Sequence, residues 1–237
     1  MIKRELYMNR IRPFIGGELI KVMTGIRRSG KSVMLELIKE ELAEAGVAPS
    51  QMISINFEDM RYSHLQTATA LHDEIIKRAE GIEGKAYLFF DEIQEVEGWE
   101  KCVNSLRVAL DCDIYITGSN AKLLSGELAT YIGGRYVEFV IYPFSFAEFL
   151  ELYHTIAPSD SIQQCFQKYL LAGGMPYLAN LRYEEEPSRQ YLTDLFNSVQ
   201  LKDIVKRNKI RDIDLLERII AYMTCLLYTS PSPRDRS

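Results

Sequence analysis

The sequence predicts an α/β protein organised around a largely parallel sheet, and three observations carry that prediction. Short β-rich runs alternate with amphipathic helical stretches through the first 150 residues. Runs such as Leu88-Phe89-Phe90 and Ile114 to Ile116 are apolar throughout, as strands covered on both faces must be. A glycine-framed loop, Gly25 and then Gly30-Lys31-Ser32, lies where one such strand passes into a helix.

The expected strands are "LIKVMTG" (19–25), "MISINF" (52–57), "AYLFFDE" (86–92), "DIYITGS" (113–119) and "YVEFVIY" (136–142). The first helix, over 30–45, should start inside the glycine loop and bury Val33, Met34, Leu37, Ile38, Leu42 and Ala45, with Gly46 as its C-terminal cap. Beyond Pro143 only helical patterns follow: "SFAEFLELYH", "SIQQCFQKYLLAGG", "RQYLTDLFNSVQLKDIV" and "DIDLLERIIAYM". "GGMP" (173–176) reads as a turn inside this appendage. No internal repeat is visible. The last thirteen residues, "CLLYTSPSPRDRS", break with the rest in composition and resemble a translated sequencing-library adaptor. The native chain is then expected to continue differently beyond about Thr224.

Composition narrows the function classes. The chain has 237 residues, 47% of them hydrophobic, enough to bury a large core. With 28 basic against 33 acidic residues the net charge is -5, which excludes a surface that binds nucleic acid everywhere. Cys102, Cys112, Cys165 and Cys225 form no C-x-x-C pair and the three histidines are scattered, so neither a zinc site nor a disulfide framework is indicated. The start "MIKRELYMNR" has no apolar leader region, and no window is apolar enough to span a bilayer; a cytoplasmic location without membrane contact is expected.

The chemistry resides in the strand ends. G-x-x-x-x-G-K-[ST] makes a tight loop whose backbone N–H groups converge on phosphate oxygens at a helix N-terminus. The stretch Gly25, Ile26, Arg27, Arg28, Ser29, Gly30, Lys31, Ser32, Val33 is therefore the expected cofactor site. Lys31 would reach the β- and γ-phosphates of ATP, and the Ser32 hydroxyl would bind Mg²⁺. "YLFFDEIQ" places Asp91 and Glu92 at the ligand-binding end of a buried strand, Asp91 for the metal and Glu92 to orient and deprotonate an attacking water. In "ITGSN", Ser119 or Asn120 either touches the γ-phosphate or caps the helix from Ala121. Arg135, after a glycine pair, is either a group set against developing charge or a solvated surface residue. Glu58 and Asp59 read as loop and capping carboxylates, Trp99 as loop-to-helix packing. The basic run 201–218 is either a solvated helix face or a nucleic-acid contact. "NKIR" (208–211) carries Arg211 where a guanine reader needs aspartate, which excludes a GTPase; the Asp91-Glu92 pair favours water over a small-molecule acceptor.

"VMTGIRRSGKS", "LFFDEIQEVEGWE", "DIYITGSNAKLLSGELATYIGGRYVEF", "YPFSFAEFLE" and "LLAGGMPYL" together resemble a prokaryotic family of AAA-type P-loop ATPases known simply as ATP-binding proteins, from about residue 4 to 224. The resemblance implies a P-loop NTPase core with strand order 5-1-4-3-2, a helical lid, and a C-terminal nuclease-like domain of unknown function. It divides the chain into a core (1–150), a lid (151–196) and the start of a truncated domain (197–224), ahead of the adaptor-like, non-native tail (225–237). It supports Gly25 to Ser32 as the ATP loop, Asp91 and Glu92 as metal and catalytic carboxylates, and Asn120 as a sensor, while the role of Arg135 in the family's Gly-Arg motif stays open. Arg27 and Arg28 match the family's form of the loop, either as charges behind the phosphates or facing a partner, or as solvated residues. The expected function is Mg²⁺-dependent ATP hydrolysis that switches the lid and C-terminal domain. The alternatives are a non-catalytic nucleotide-gated interaction module and a DNA-handling ATPase. A homo-oligomer or a partner protein is an expected partner.

Overall fold

The computed structural model describes residues 2–118, 132–199, 205, 210 and 212–229. Five parallel strands, β1 Ile20–Thr24, β2 Met52–Asn56, β3 Ala86–Asp91, β4 Cys112–Thr117 and β5 Tyr136–Val140, form one sheet in the order β2-β3-β4-β1-β5. This is the expected order read from the other edge. Burial is nearly continuous along the inner strands β1, β3 and β4, while the edge strands β2 and β5 are only partly buried. An edge strand has a neighbour on one side only, so less of it is covered.

Successive residues of a strand point to opposite faces, and each face has its own helices. Ile20, Val22, Leu88, Phe90, Ile114 and Ile116 pack in one cluster with Leu71 and Ile75 of α3 (Ala68–Ala79) and Val103 and Leu106 of α4 (Trp99–Ala109). Met23, Phe89, Tyr115 and Phe139 pack on the other face with α1 (Glu5–Ile11) and α2 (Lys31–Glu44). Trp99 is the first residue of α4 and is buried there, as expected of a packing residue.

Helix α2 starts inside the loop and stops at Gly46, whose φ of 90° and N–H to Ala43 (3.0 Å) end it as expected. Its buried face differs from the expected one. Met34, Leu35, Leu37, Ile38 and Leu42 face the sheet, while Val33 is 38% exposed and Ala45 is exposed. Val33 lies in the first turn beside the loop, where the sheet has already ended, and Ala45 lies in the last turn beyond it.

Beyond β5 come α5 (Phe146–Tyr153), α6 (Ile162–Ala172), α7 (Glu185–Val199) and α8 (Ile213–Thr229). Ser145 caps α5 through a capping box with Glu148, and Ser161 does the same for α6 with Gln164. Phe149, Tyr153, Tyr169 and Tyr183 form an aromatic cluster with ring centroids 4.9–5.4 Å apart. Phe149, Tyr153 and Tyr183 are buried there as core. The "GGMP" turn works by close approach as well as by positive φ: a side chain at Gly174 would sit 2.1 Å from the Phe144 carbonyl, which lies directly behind it. The chain divides into two compact units between Glu185 and Glu186. Helix α8 runs through Cys225, past the expected break at Thr224, since Cys225, Leu226 and Leu227 oppose a helix neither by charge nor by backbone. Among the described residues no helix is long and apolar enough to cross a membrane.

One buried polar cluster stands near the start of the strands. Lys21 pairs with Asp113, both fully buried, and donates to the carbonyls of Leu19 (2.9 Å) and Gly17 (3.3 Å). Asp113 also accepts from the Tyr115 hydroxyl (2.7 Å) and the Gly16 N–H (2.6 Å). Every donor of the ammonium has an acceptor, so the cluster is closed.

Candidate nucleotide site

Because all strands are parallel, β1, β3 and β4 end at one edge, and their ends bring Gly25, Asp91 and Thr117 together. Gly25 has φ 141°, and a Cβ there would lie 2.2 Å from the Ile141 carbonyl. The loop thus passes too close to the end of β5 for any other residue. Arg28 and Gly30 have φ 64° and 100°. Left-handed residues alternating with right-handed ones produce the backbone concavity that receives anions. Helix α2 begins at Lys31, so its first N–H groups, which no helix can pair internally, face the same opening.

Lys31 is buried, and its Nζ donates to the carbonyls of Gly25 and Ile26 (3.2 Å each) at 4.0 Å from Glu92 Oε1. Ser32 is exposed in the first turn. Asp91 closes β3 with both oxygens held, Oδ1 by the Thr117 hydroxyl and Oδ2 by Asn56 Nδ2 (3.1 Å). Thr117 also accepts from the Glu92 N–H (3.0 Å). Glu92 has left-handed backbone (φ 55°), which carries its side chain off the strand line toward Lys31, and its Oε2 accepts from Gln94 Nε2.

The structure therefore brings Gly25, Lys31, Ser32, Asp91 and Glu92 to one edge, together with Ile26, Arg27, Arg28, Ser29, Gly30 and Val33 in the same loop and first turn. Arg27 is half-buried with Nη2 3.9 Å from Glu58, and Arg28 is exposed. Asp59 caps a short 3-10 helix through the Arg61 N–H (2.9 Å), as expected of a capping carboxylate. Ser119 and Asn120 lie outside the described residues, as does half of the basic run 201–218.

Arg135 is the exception. It precedes β5, and Tyr136 pairs with Ile20, so Arg135 stands at the sheet edge where β1 begins. The length of β1, roughly 15 Å at strand rise, separates it from the loop. Its side chain cannot reach the loop of its own chain.

Four contributors were not foreseen. Thr117 and Asn56 are the partners that fix Asp91, Gln94 holds Glu92, and Arg4 donates to the Ser29 carbonyl from beneath the loop (3.0 Å). "ITGS" and "INFED" placed polar residues at strand ends, but nothing in sequence pairs them. Arg4 carries no sequence signal at all.

The residues fit a magnesium nucleotide. Among the described residues the buried Ser29 hydroxyl of the loop has no hydrogen-bond partner, and Gly25 and Gly30 take up the positive φ of the loop backbone. Mg²⁺ keeps several waters and uses one or two protein oxygens plus phosphate, which Ser32 and Asp91 can supply. Among the described residues no group of three His, Cys, Asp or Glu side chains could hold a metal alone, a cage that Mg²⁺ with phosphate does not need.

Comparison with known proteins identifies the family of the chain. An uncharacterized protein of Haemophilus influenzae is 40% identical over 224 residues, covering 94% of this chain and 55% of its own length. An uncharacterized protein of Methanocaldococcus jannaschii is 34% identical over 203 residues, covering 82% of this chain and 44% of its own. The chain thus spans about half the length of these relatives. Among solved structures, Thermotoga maritima RuvB (a point mutant) aligns with TM-score 0.49 at 14% identity, covering 85% of this chain and 69% of that one. Aeropyrum pernix ORC1 in complex with DNA aligns with TM-score 0.45 at 14% identity, covering 83% and 65%. Residues 18–150, which contain the whole sheet and the loop, match the AAA domain family, and the chain belongs to that family.

Proposed function

We propose that the chain binds ATP with Mg²⁺ at the Gly25–Ser32 loop and hydrolyses it. The observation that supports this best is the meeting of Lys31, Asp91 and Glu92 at one sheet edge, with Asp91 fixed on both oxygens and Glu92 not. A carboxylate held by Thr117 and Asn56 suits a metal ligand that must not move. Among the described residues the Glu92 carboxylate has the Gln94 amide on one oxygen and Lys31 at 4.0 Å from the other, a looser hold that suits a group that must accept a proton. Bound Mg²⁺ would neutralise developing charge on the phosphates. Ser32 and Asp91 would hold it, Lys31 would exchange its loop carbonyls for phosphate oxygens, and Glu92 would direct the water.

The nucleotide would act on the helices behind the core, α5 and α6, and on whatever follows them. Turnover in isolation should be slow. Arg135 is on the wrong edge to serve its own site, and a transition-state arginine is worth about 10³–10⁵ in rate. ATP turnover should fall about a hundredfold or more in Lys31→Ala and in Glu92→Gln; equal rates in all three proteins would defeat the enzyme reading.

A second reading is favoured by the bond from Gln94 to Glu92, which occupies the base: a nucleotide-gated interaction module that binds without hydrolysing. It predicts the same binding and no turnover in the wild type. Mg-ATP at about a hundred times its dissociation constant should stabilise the fold by about 2.7 kcal/mol in either case. No thermal shift would remove both readings.

A further inference from the structure

We propose that Arg4 is a positioning residue of the nucleotide loop, tying its backbone to the first helix of the appendage; this rests on the nucleotide reading above. Arg4 is 2% exposed, yet its guanidinium makes bonds to three separate segments. Nε and Nη2 reach Glu148 Oε1 (2.8 Å) and Oε2 (3.4 Å) in α5. Nη2 also donates to the Tyr142 carbonyl (2.8 Å) just after β5, and Nη1 to the Ser29 carbonyl (3.0 Å) in the loop. The rings of Tyr7 and Phe144 cover its faces, with centroids 4.6 and 5.2 Å from Cζ.

The Ser29 contact matters for ligand binding because a trans peptide is planar and its C=O and N–H point in opposite directions. Holding the Ser29 carbonyl toward a buried guanidinium turns the Gly30 N–H toward the open side of the loop. That N–H lies in the glycine loop whose backbone would receive the phosphates. An arginine is suited to this, since its rigid fork can serve several acceptors from one position, which an ammonium cannot.

The other end of the link is equally fixed. Glu148 Oε2 accepts from the Ser145 N–H (2.8 Å) and hydroxyl (2.9 Å), so the carboxylate that holds Arg4 is also the one that caps α5. Burial pushes this carboxyl upward in pKa, but the bonds from Arg4 and Ser145 outweigh it and hold it below 4.5. Arg4 itself has left-handed backbone, φ 46°, an unfavourable conformation for a residue with a Cβ. Movement of the Ser29–Gly30 peptide would therefore reach α5 through two side chains.

The test removes the link without leaving a buried charge. The double variant Arg4→Met with Glu148→Leu replaces an ion pair by apolar groups, a change that folds commonly tolerate. Mg-ADP binding is measured by calorimetry, alongside the melting midpoint and amide hydrogen exchange of nucleotide-free protein. We expect Mg-ADP to bind about tenfold more weakly or worse, with faster exchange at Gly30 and a midpoint lowered by no more than the loss of the α5 cap accounts for. A folded double variant with wild-type affinity overturns the proposal. If the double variant does not fold, Arg4→Lys carries the test, because it keeps a cation beside Glu148 but cannot span all three acceptors. The same weakening is expected, and wild-type affinity there overturns the proposal too. Loss of folding in both variants assigns Arg4 a purely structural role and overturns it. A wild-type chain that binds no Mg-ADP removes the nucleotide reading itself, which the variants alone cannot do.

Discussion

Lys21 and Lys31 come from the same short stretch of chain, both are buried and both approach a carboxylate, but their surroundings differ in kind. Around Lys21 the network is closed, with Asp113, Leu19 and Gly17 answering all three donors and Tyr115 and Gly16 filling Asp113. Around Lys31, among the described residues, two carbonyls of the loop itself stand at 3.2 Å and Glu92 at 4.0 Å. A lysine whose donors are all answered by fixed acceptors has nothing to offer a ligand. One held by its own loop can exchange those carbonyls for phosphate oxygens. The first cluster belongs to stability and the second to binding.

Breaking the closed cluster should give the largest effect. Asp113→Ala leaves Lys21 as an unpaired buried cation and should cost about 3–5 kcal/mol, read by chemical denaturation. A cost below about 1 kcal/mol would mean that the two clusters do not differ as described. In the open cluster, Lys31→Ala should change stability without nucleotide by no more than about 1 kcal/mol while abolishing the thermal shift with Mg-ATP. A destabilisation as large as that of Asp113→Ala would erase the distinction.

Tyr115→Phe sharpens it further, removing one bond to Asp113 at a cost of about 1–3 kcal/mol at neutral pH. Burial first, then the Asp113 charge, raises the Tyr115 phenol above its ordinary 10.0. A raised folded pKa contributes stability that is complete below pH 10 and is lost as pH climbs above it. The gap between Tyr115→Phe and wild type should therefore narrow from pH 10 upward. A gap constant in pH would show the phenol titrating alike in both states. Least affected should be Arg135→Ala: nucleotide affinity at dilutions where the chain is alone should stay unchanged, and a fall would place this side chain nearer its own loop than the register allows.

The two clusters also differ in how far they can be read from sequence. The loop and "FFDE" are local patterns with fixed spacing, so the place of Gly25 to Ser32, Asp91 and Glu92 at strand ends was legible, as were the strands themselves; the strand order came from the family resemblance. Lys21 and Asp113 look like ordinary strand residues, and only the pairing of β1 with β4 makes them partners. Thr117 and Asn56 became partners of Asp91 in the same way, through neighbouring strand ends. Arg4 is the extreme case: it reaches a residue 144 positions away, and no local pattern encodes that. Arg135 shows the converse. Its glycine pair suggested a site, but the register of β5 on β1 puts it on the other edge. Val33 was misplaced because helical periodicity does not say where along α2 the sheet ends.

Glu92, finally, shares its left-handed backbone with Arg4 and Arg28, and all three lie around the loop. For a side-chain-bearing residue this conformation costs about 1–2 kcal/mol, which glycine would not incur. Random libraries of this domain selected only for heat resistance should accordingly enrich glycine at position 92, while selection for nucleotide turnover should reject it. The position where those two selections disagree most is where the fold gives up robustness to keep its chemistry.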